Sequence, residues 1–91
     1  LRVKVRSFGP FIKALGHENT LELPEGATIG ALLAVLAQRA GELKGHLLGY
    51  DERAPSMAVL LNGLNIKLIE GSRTLLKDGD TVSLLPPAAG G

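Results

Sequence analysis

Between residues 29 and 40 the apolar side chains fall at Ile29, Leu32, Leu33, Leu36, Ala37 and Ala40. Their offsets of 0, 3, 4, 7, 8 and 11 put these side chains in one continuous stripe along a helix. Thr28 is a good N-cap, and Glu25 puts a negative charge near the helix N-terminus. Arg39 falls in the last turn and Gly41 supplies the stop. A single helix can cover only one face of a sheet. The strands in the rest of the chain must therefore offer it one apolar face, leaving the other open.

The strands are short and alternate. In residues 1–8, Val3 and Val5 point one way while Arg2, Lys4 and Arg6 point the other. Residues 9–16 read as a turn-rich segment. Residues 20–23 read as a second strand with Leu21 and Leu23 on one face, stopped by Pro24-Glu25-Gly26. A smaller helical turn is expected over 42–48, ended by Gly49, followed by a polar loop to residue 56. Residues 57–61 form an apolar run of strand length that meets Asn62-Gly63, a two-residue hairpin signal. Residues 64–66 then return antiparallel. After a Gly71-centred loop, a short 74–76 stretch and the Asp78-Gly79-Asp80 turn, residues 81–85 make the last strand, with Val82 and Leu84 on one face.

The economical packing lays the helix across Val3, Val5, Val82 and Leu84. This is an α+β sandwich of two layers, with a sheet of four or five strands and one main helix. The open face would show Arg2, Lys4 and Arg6 beside Thr81, Ser83 and Leu85, with Ala58 and Leu60 nearby. Leu60 and Leu85 are apolar side chains on that face and Arg6 is a cation there, which makes all three candidate partner contacts. The three cations could steer an acidic partner.

Composition removes most catalytic classes. The chain has 91 residues and no cysteine, so disulfides, zinc–thiolate sites, iron–sulfur ligation and a thiol nucleophile are excluded together. Ten basic residues against nine acidic ones leave a formal charge of +1, which gives no support to nucleic-acid binding. The aromatics Phe8, Phe11 and Tyr50 are too few for a base-stacking platform. No stretch is long and apolar enough to span a membrane, so a soluble, cytoplasmic protein is expected. His17 and His46 are lone residues without a second ligand at metal spacing, and no metal site is expected. No glycine-rich phosphate loop follows a strand, and the carboxylates cluster in turns, where they serve the turn itself.

What remains is the chain end, Pro86-Pro87-Ala88-Ala89-Gly90-Gly91. Proline cannot continue a central ladder, so the chain must leave the sheet at Pro86. Fully extended, these six residues reach roughly 20 Å, and the last four carry nothing larger than a methyl group. Such a segment is narrow enough to thread a channel in another protein. Its reactive group is the α-carboxylate of Gly91. Two parts are therefore expected: a folded domain over residues 1–85 and a flexible tail over residues 86–91.

The element order, Asn62-Gly63, Asp78-Gly79-Asp80, Val82, and Leu85-Pro86-Pro87 running into Gly90-Gly91 resemble the MoaD/ThiS group of ubiquitin-like proteins. The resemblance covers essentially the whole chain, and residues 78–91 are its specific part. The Pro-Pro before the diglycine looks more like MoaD, the small subunit of molybdopterin synthase, than like ThiS. The resemblance implies a β-grasp fold with a mixed four- to five-stranded sheet. It also implies a carrier without an active site of its own. Gly91 would be adenylated with ATP by a partner of the MoeB type, which resembles ubiquitin-activating enzymes. A sulfur donor would then displace AMP to leave a thiocarboxylate. The sulfur would go to a pterin precursor in a MoaE-type large subunit, within a heterotetramer. No cofactor would be held permanently. Gly90 would leave the channels unobstructed, Pro86 and Pro87 would stiffen the root, and Pro86, Pro87, Ala88 and Ala89 would contact the partner. Alternatives are a ubiquitin-like modifier forming isopeptide bonds, a carrier serving thiamine or cysteine synthesis, and a non-covalent binding module whose Gly-Gly is incidental.

Overall fold

The structure, a computed structural model, describes residues 1–50 and 57–86. The loop expected at residues 51–56 and the segment 87–91, which contains Pro87, Ala88, Ala89, Gly90 and Gly91, lie outside the described residues. Five strands form one mixed sheet: β1 (Arg2–Ser7), β2 (Glu18–Glu22), β3 (Ala58–Leu61), β4 (Leu64–Asn65) and β5 (Thr81–Leu85). Their spatial order is β2-β1-β5-β3-β4, with β1 and β5 parallel and every other neighbouring pair antiparallel. The first and last strands therefore lie side by side at the centre. Their ends, and the exit of the chain beyond Leu85, are fixed by the middle of the sheet.

Helix α2 (Ile29–Ala37) crosses one face. Ile29, Leu32 and Leu36 are fully buried, as are Val3, Val59, Val82 and Leu84 beneath them. Each such side chain taken from water contributes about 1.5–3 kcal/mol, so this stripe is the main source of stability. Thr28 caps the helix as expected, its hydroxyl accepting from the Ala31 amide at 3.1 Å. The helix ends three residues before Ala40. The amides of Gln38, Arg39 and Ala40 bond to the carbonyls three residues back, tightening the last turn into 3₁₀ form. Ala40 stays buried in that turn, and Gly41, at φ 56, ends it.

Four further expectations are corrected. Residues 9–16 are not merely a turn: Pro10–Leu15 form a short helix, α1, with proline in its first turn and Phe11 and Leu15 buried one turn apart. Strand β2 starts at Glu18 and ends at Glu22, although the Leu23 amide still bonds to the Leu1 carbonyl at 2.8 Å. The strand after the hairpin stops at Asn65, because Asn65 Oδ1 accepts from the Lys67 amide and turns Ile66–Leu68 into a 3₁₀ helix. A second 3₁₀ turn, Gly71–Arg73, replaces the loop expected around Gly71. The helical turn expected at 42–48 appears as a 3₁₀ turn, Gly41–Leu43, running into α3 (Lys44–Leu48), and Gly49 caps it.

Candidate functional site

The candidate site is the place where the chain leaves the sheet. The parallel ladder runs Lys4↔Thr81, Val5↔Val82, Arg6↔Ser83 and Ser7↔Leu84, and the Phe8 amide adds a last bond to the Leu84 carbonyl at 3.0 Å. There the two chains part. Pro86 has no N–H with which to extend the ladder. Gly9 turns β1 into α1 with φ 58 and ψ −135, a conformation that side chains strongly disfavour. The Pro86 ring rests on this glycine. A Cβ at Gly9 would stand 3.0 Å from Pro86 Cγ and 3.2 Å from Cδ, closer than most packed carbons approach, so the ring would have to shift by a few tenths of an ångström. The exposed root of the tail is thus seated on the backbone of the β1–α1 turn, a contact between residues 77 positions apart.

The open face follows the alternation expected of it. Arg2, Lys4 and Arg6 are exposed, while Thr81, Ser83, Leu85, Ala58 and Leu60 are half-buried. Register sets Arg6, Ser83 and Leu60 in one row and places Ala58 opposite Leu85. Phe8, half-buried, shares the face with Arg6, whose guanidinium carbon lies 5.5 Å from the Phe8 ring centroid. The structure therefore brings Arg6, Leu60, Leu85 and Pro86 together around the tail root. It adds Phe8 and Gly9, which sequence reasoning missed. The signal for Phe8 was available, since it continues the alternation of Arg6 by one step. The Gly9 contact was not, because nothing local ties it to Pro86.

The charges on this face are unequal. Arg2 Nε lies 3.3 Å from Glu22 Oε1, and Lys4 Nζ lies 3.9 Å from Glu18 Oε2. Both pairs are exposed and add little to stability, yet they offset the charge of two of the three cations once expected to steer a partner. Arg6 forms no ion pair among the described residues.

The turn carboxylates are occupied by the turn. Asp78 Oδ1 accepts from the Arg2 amide at 2.7 Å. Asp80 takes the Asn62 side-chain amide at 3.0 Å and the Lys77 backbone amide at 2.7 Å. Among the described residues no group of three His, Asp or Glu side chains could hold a metal ion, and both histidines are exposed. No described helix is long and apolar enough to cross a membrane.

A mixed sheet with β1 and β5 parallel at its centre, one long helix across it and a chain end leaving from the last strand defines a ubiquitin-like β-grasp protein. The sequence profile of the ThiS family matches residues 5–91. The chain belongs to that family of small ubiquitin-like sulfur carriers. It is similar to small archaeal modifier protein 3 of Haloferax volcanii, 34% identical over the whole of both chains. Its fold matches the small archaeal modifier protein 1 of Methanosarcina acetivorans with a TM-score of 0.79 and 35% identity, covering 99% of this chain and 96% of that one. It also matches a structure from Helicobacter pylori with a TM-score of 0.66 and 34% identity, covering all of both chains. That structure is a protein–protein complex of subunits 1 and 2 of molybdopterin-converting factor.

Proposed function

We propose that the chain carries sulfur on the carboxyl group of Gly91, as the small subunit of a molybdopterin synthase. The observation that carries this reading is the built root at Pro86. The ladder ends, Gly9 seats the ring, and the segment that follows ends in small residues and Gly90-Gly91. A carboxylate is a poor electrophile at neutral pH, so it must first be activated. Its oxygen attacks the α-phosphorus of ATP on a partner enzyme, pyrophosphate leaves, and an acyl-adenylate forms. Hydrosulfide, sulfur already at the sulfide level, then attacks the acyl carbon, AMP leaves, and the thiocarboxylate remains on Gly91. Gly90 brings no side chain into the partner's channel. Arg6, Phe8, Leu60 and Leu85 would meet the partner's surface, with the synthase large subunit as final acceptor site. The Helicobacter pylori complex supports that pairing by likeness.

The likeness to two archaeal modifier proteins favours a second reading, transfer of Gly91 to lysine amines of other proteins. Both readings pass through the same acyl-adenylate and differ in the nucleophile. Intact mass spectrometry after co-expression with the adenylating enzyme and a sulfur source separates them. Carriage predicts a gain equal to one oxygen exchanged for sulfur, lost when Gly91 is deleted. Modification predicts conjugates of higher mass, also lost on that deletion. A chain that gains neither under any donor refutes both.

A further inference from the structure

The other flank of the tail root also carries cations without partners. Helix α1 and the turn after α2 enclose an open cleft walled by Pro10, Ala14 and Leu43, with Lys13 and Arg39 both lining it. Both residues are exposed, and neither side chain makes an ion pair or a hydrogen bond among the described residues. Glu42 also lines the cleft, which leaves it a net positive charge. This differs from β1, where Arg2 and Lys4 each face a glutamate.

Position gives the cleft its meaning. Pro10, one of its walls, directly follows Gly9, on which Pro86 rests. Lys13 lies four residues beyond Gly9, so about one helical turn, roughly 6 Å of rise, separates it from the seat of the tail root. An enzyme that draws the chain beyond Pro86 into its own active site must bring the mouth of that site against this rim. We infer that the Lys13–Arg39 cleft docks an acidic segment of the enzyme that activates Gly91. A carboxylate there meets the two cations, and short apolar side chains meet Pro10, Ala14 and Leu43. Together with Arg6 across the root, the cleft gives the partner two cationic points that fix its orientation as well as its approach. This assignment rests on the activated-tail reading above and adds to it a recognition element outside the sheet face.

The test measures tail adenylation by the purified activating enzyme, followed as ATP–pyrophosphate exchange. It compares wild type, Lys13→Glu/Arg39→Glu and Lys67→Glu/Arg73→Glu. The last pair makes the same charge change, and Arg73 lies in the 3₁₀ turn packed at the opposite end of α2. Thermal unfolding checks that all three are folded. The apparent KM of the Lys13/Arg39 variant rises on the order of tenfold with kcat unchanged, while the control stays within about twofold of wild type. Raising salt from low to physiological strength raises the wild-type KM, and that dependence flattens in the Lys13/Arg39 variant. An unchanged KM in the Lys13/Arg39 variant, with the wild type adenylated, overturns the cleft and leaves the carrier reading standing. An equal rise in both variants overturns it in favour of net charge alone. Amide shifts at Ala14 and Ala40 that vanish when Gly90 and Gly91 are deleted put this chain's own end in the cleft and also overturn it. A wild type that is never adenylated refutes the activated-tail reading itself.

Discussion

Replacing Gly9 with alanine tests whether the tail root is held in place or merely hangs from the sheet. The backbone there has φ 58 and ψ −135, well outside the left-handed basin that an L residue can enter at modest cost. Holding alanine in so sparsely populated a conformation costs about 1–3 kcal/mol. The new methyl group also meets Pro86 Cγ at 3.0 Å. Backbone strain of ~2 kcal/mol alone lowers the melting temperature of a domain this size by roughly 8–16 °C. Gly26 is the internal comparison, with φ +83 but nothing within 4 Å of its added Cβ. Gly26→Ala therefore reports strain without contact. The contact itself is isolated by a double-mutant cycle with Pro86→Ala, which removes the ring but keeps the backbone path. Gly9→Ala should cost less in the Pro86→Ala background, with a coupling of about 0.5–1 kcal/mol. The assay is thermal unfolding followed by far-ultraviolet circular dichroism. Two results refute the reasoning: a fall below about 4 °C for Gly9→Ala, or a Gly9→Ala cost equal in the two backgrounds within about 0.3 kcal/mol.

Two further substitutions probe the parts that hold the central strands. Asn62 sits at φ 50 in the β3–β4 turn, accepts from the Thr81 amide at 2.9 Å and donates to Asp80 at 3.0 Å. Asn62→Ala should cost about 1–2 kcal/mol, seen as a lower urea midpoint with an unchanged slope; an unmoved midpoint would show that the Asp80 turn holds β5 alone. Ser7 is buried on the helix-facing side of β1, and its hydroxyl has no hydrogen-bond partner among the described residues. Ser7→Ala removes an unpaired buried polar group and should raise the melting temperature by several degrees, whereas a fall would mean that the hydroxyl is satisfied.

Local pattern carried the elements whose periodicity is strong. The stripe from Ile29 to Ala40, the alternation of residues 2–7, the Asn62-Gly63 hairpin and the Asp78–Asp80 turn can each be read from a few neighbouring residues, and each is present. Helix α1 was legible in part. Pro10 in the first turn with Phe11 and Leu15 four apart is a helix signal, but flanking Gly9 and Gly16 read more strongly as turn punctuation. The 3₁₀ turns at Ile66–Leu68 and Gly71–Arg73 are too short to leave a period. The early end of α2 reflects a switch in bonding, since the buried Ala40 continues the stripe through a tightened turn.

The candidate site divides along the same line. Arg6, Leu60 and Leu85 were placed by alternation alone, because a residue's face on a strand follows from its parity. The contact of Pro86 with Gly9 and the union of Lys13 with Arg39 needed the tertiary fold, since each joins residues that no local rule relates.

A carrier of this kind depends on geometry that its partners can grip. The segment that would react has no bulk of its own, so it offers a partner little surface to recognise. Recognition must then come from the folded residues around the root, and these differ on the two sides. On the sheet side stand Phe8, Leu85 and Leu60 with one cation, Arg6, that forms no ion pair among the described residues. On the helix side stands a cleft with two. Between them Pro86 is braced by a glycine that leaves no room for a side chain. An apolar surface tolerates many partners of similar shape, whereas spaced charges fix orientation and reject partners of the wrong sign. The sheet side is therefore suited to a surface shared by every partner that takes the tail. Under the activation of Gly91 proposed above, the helix side is suited to telling the activating enzyme apart from the acceptor that would follow it.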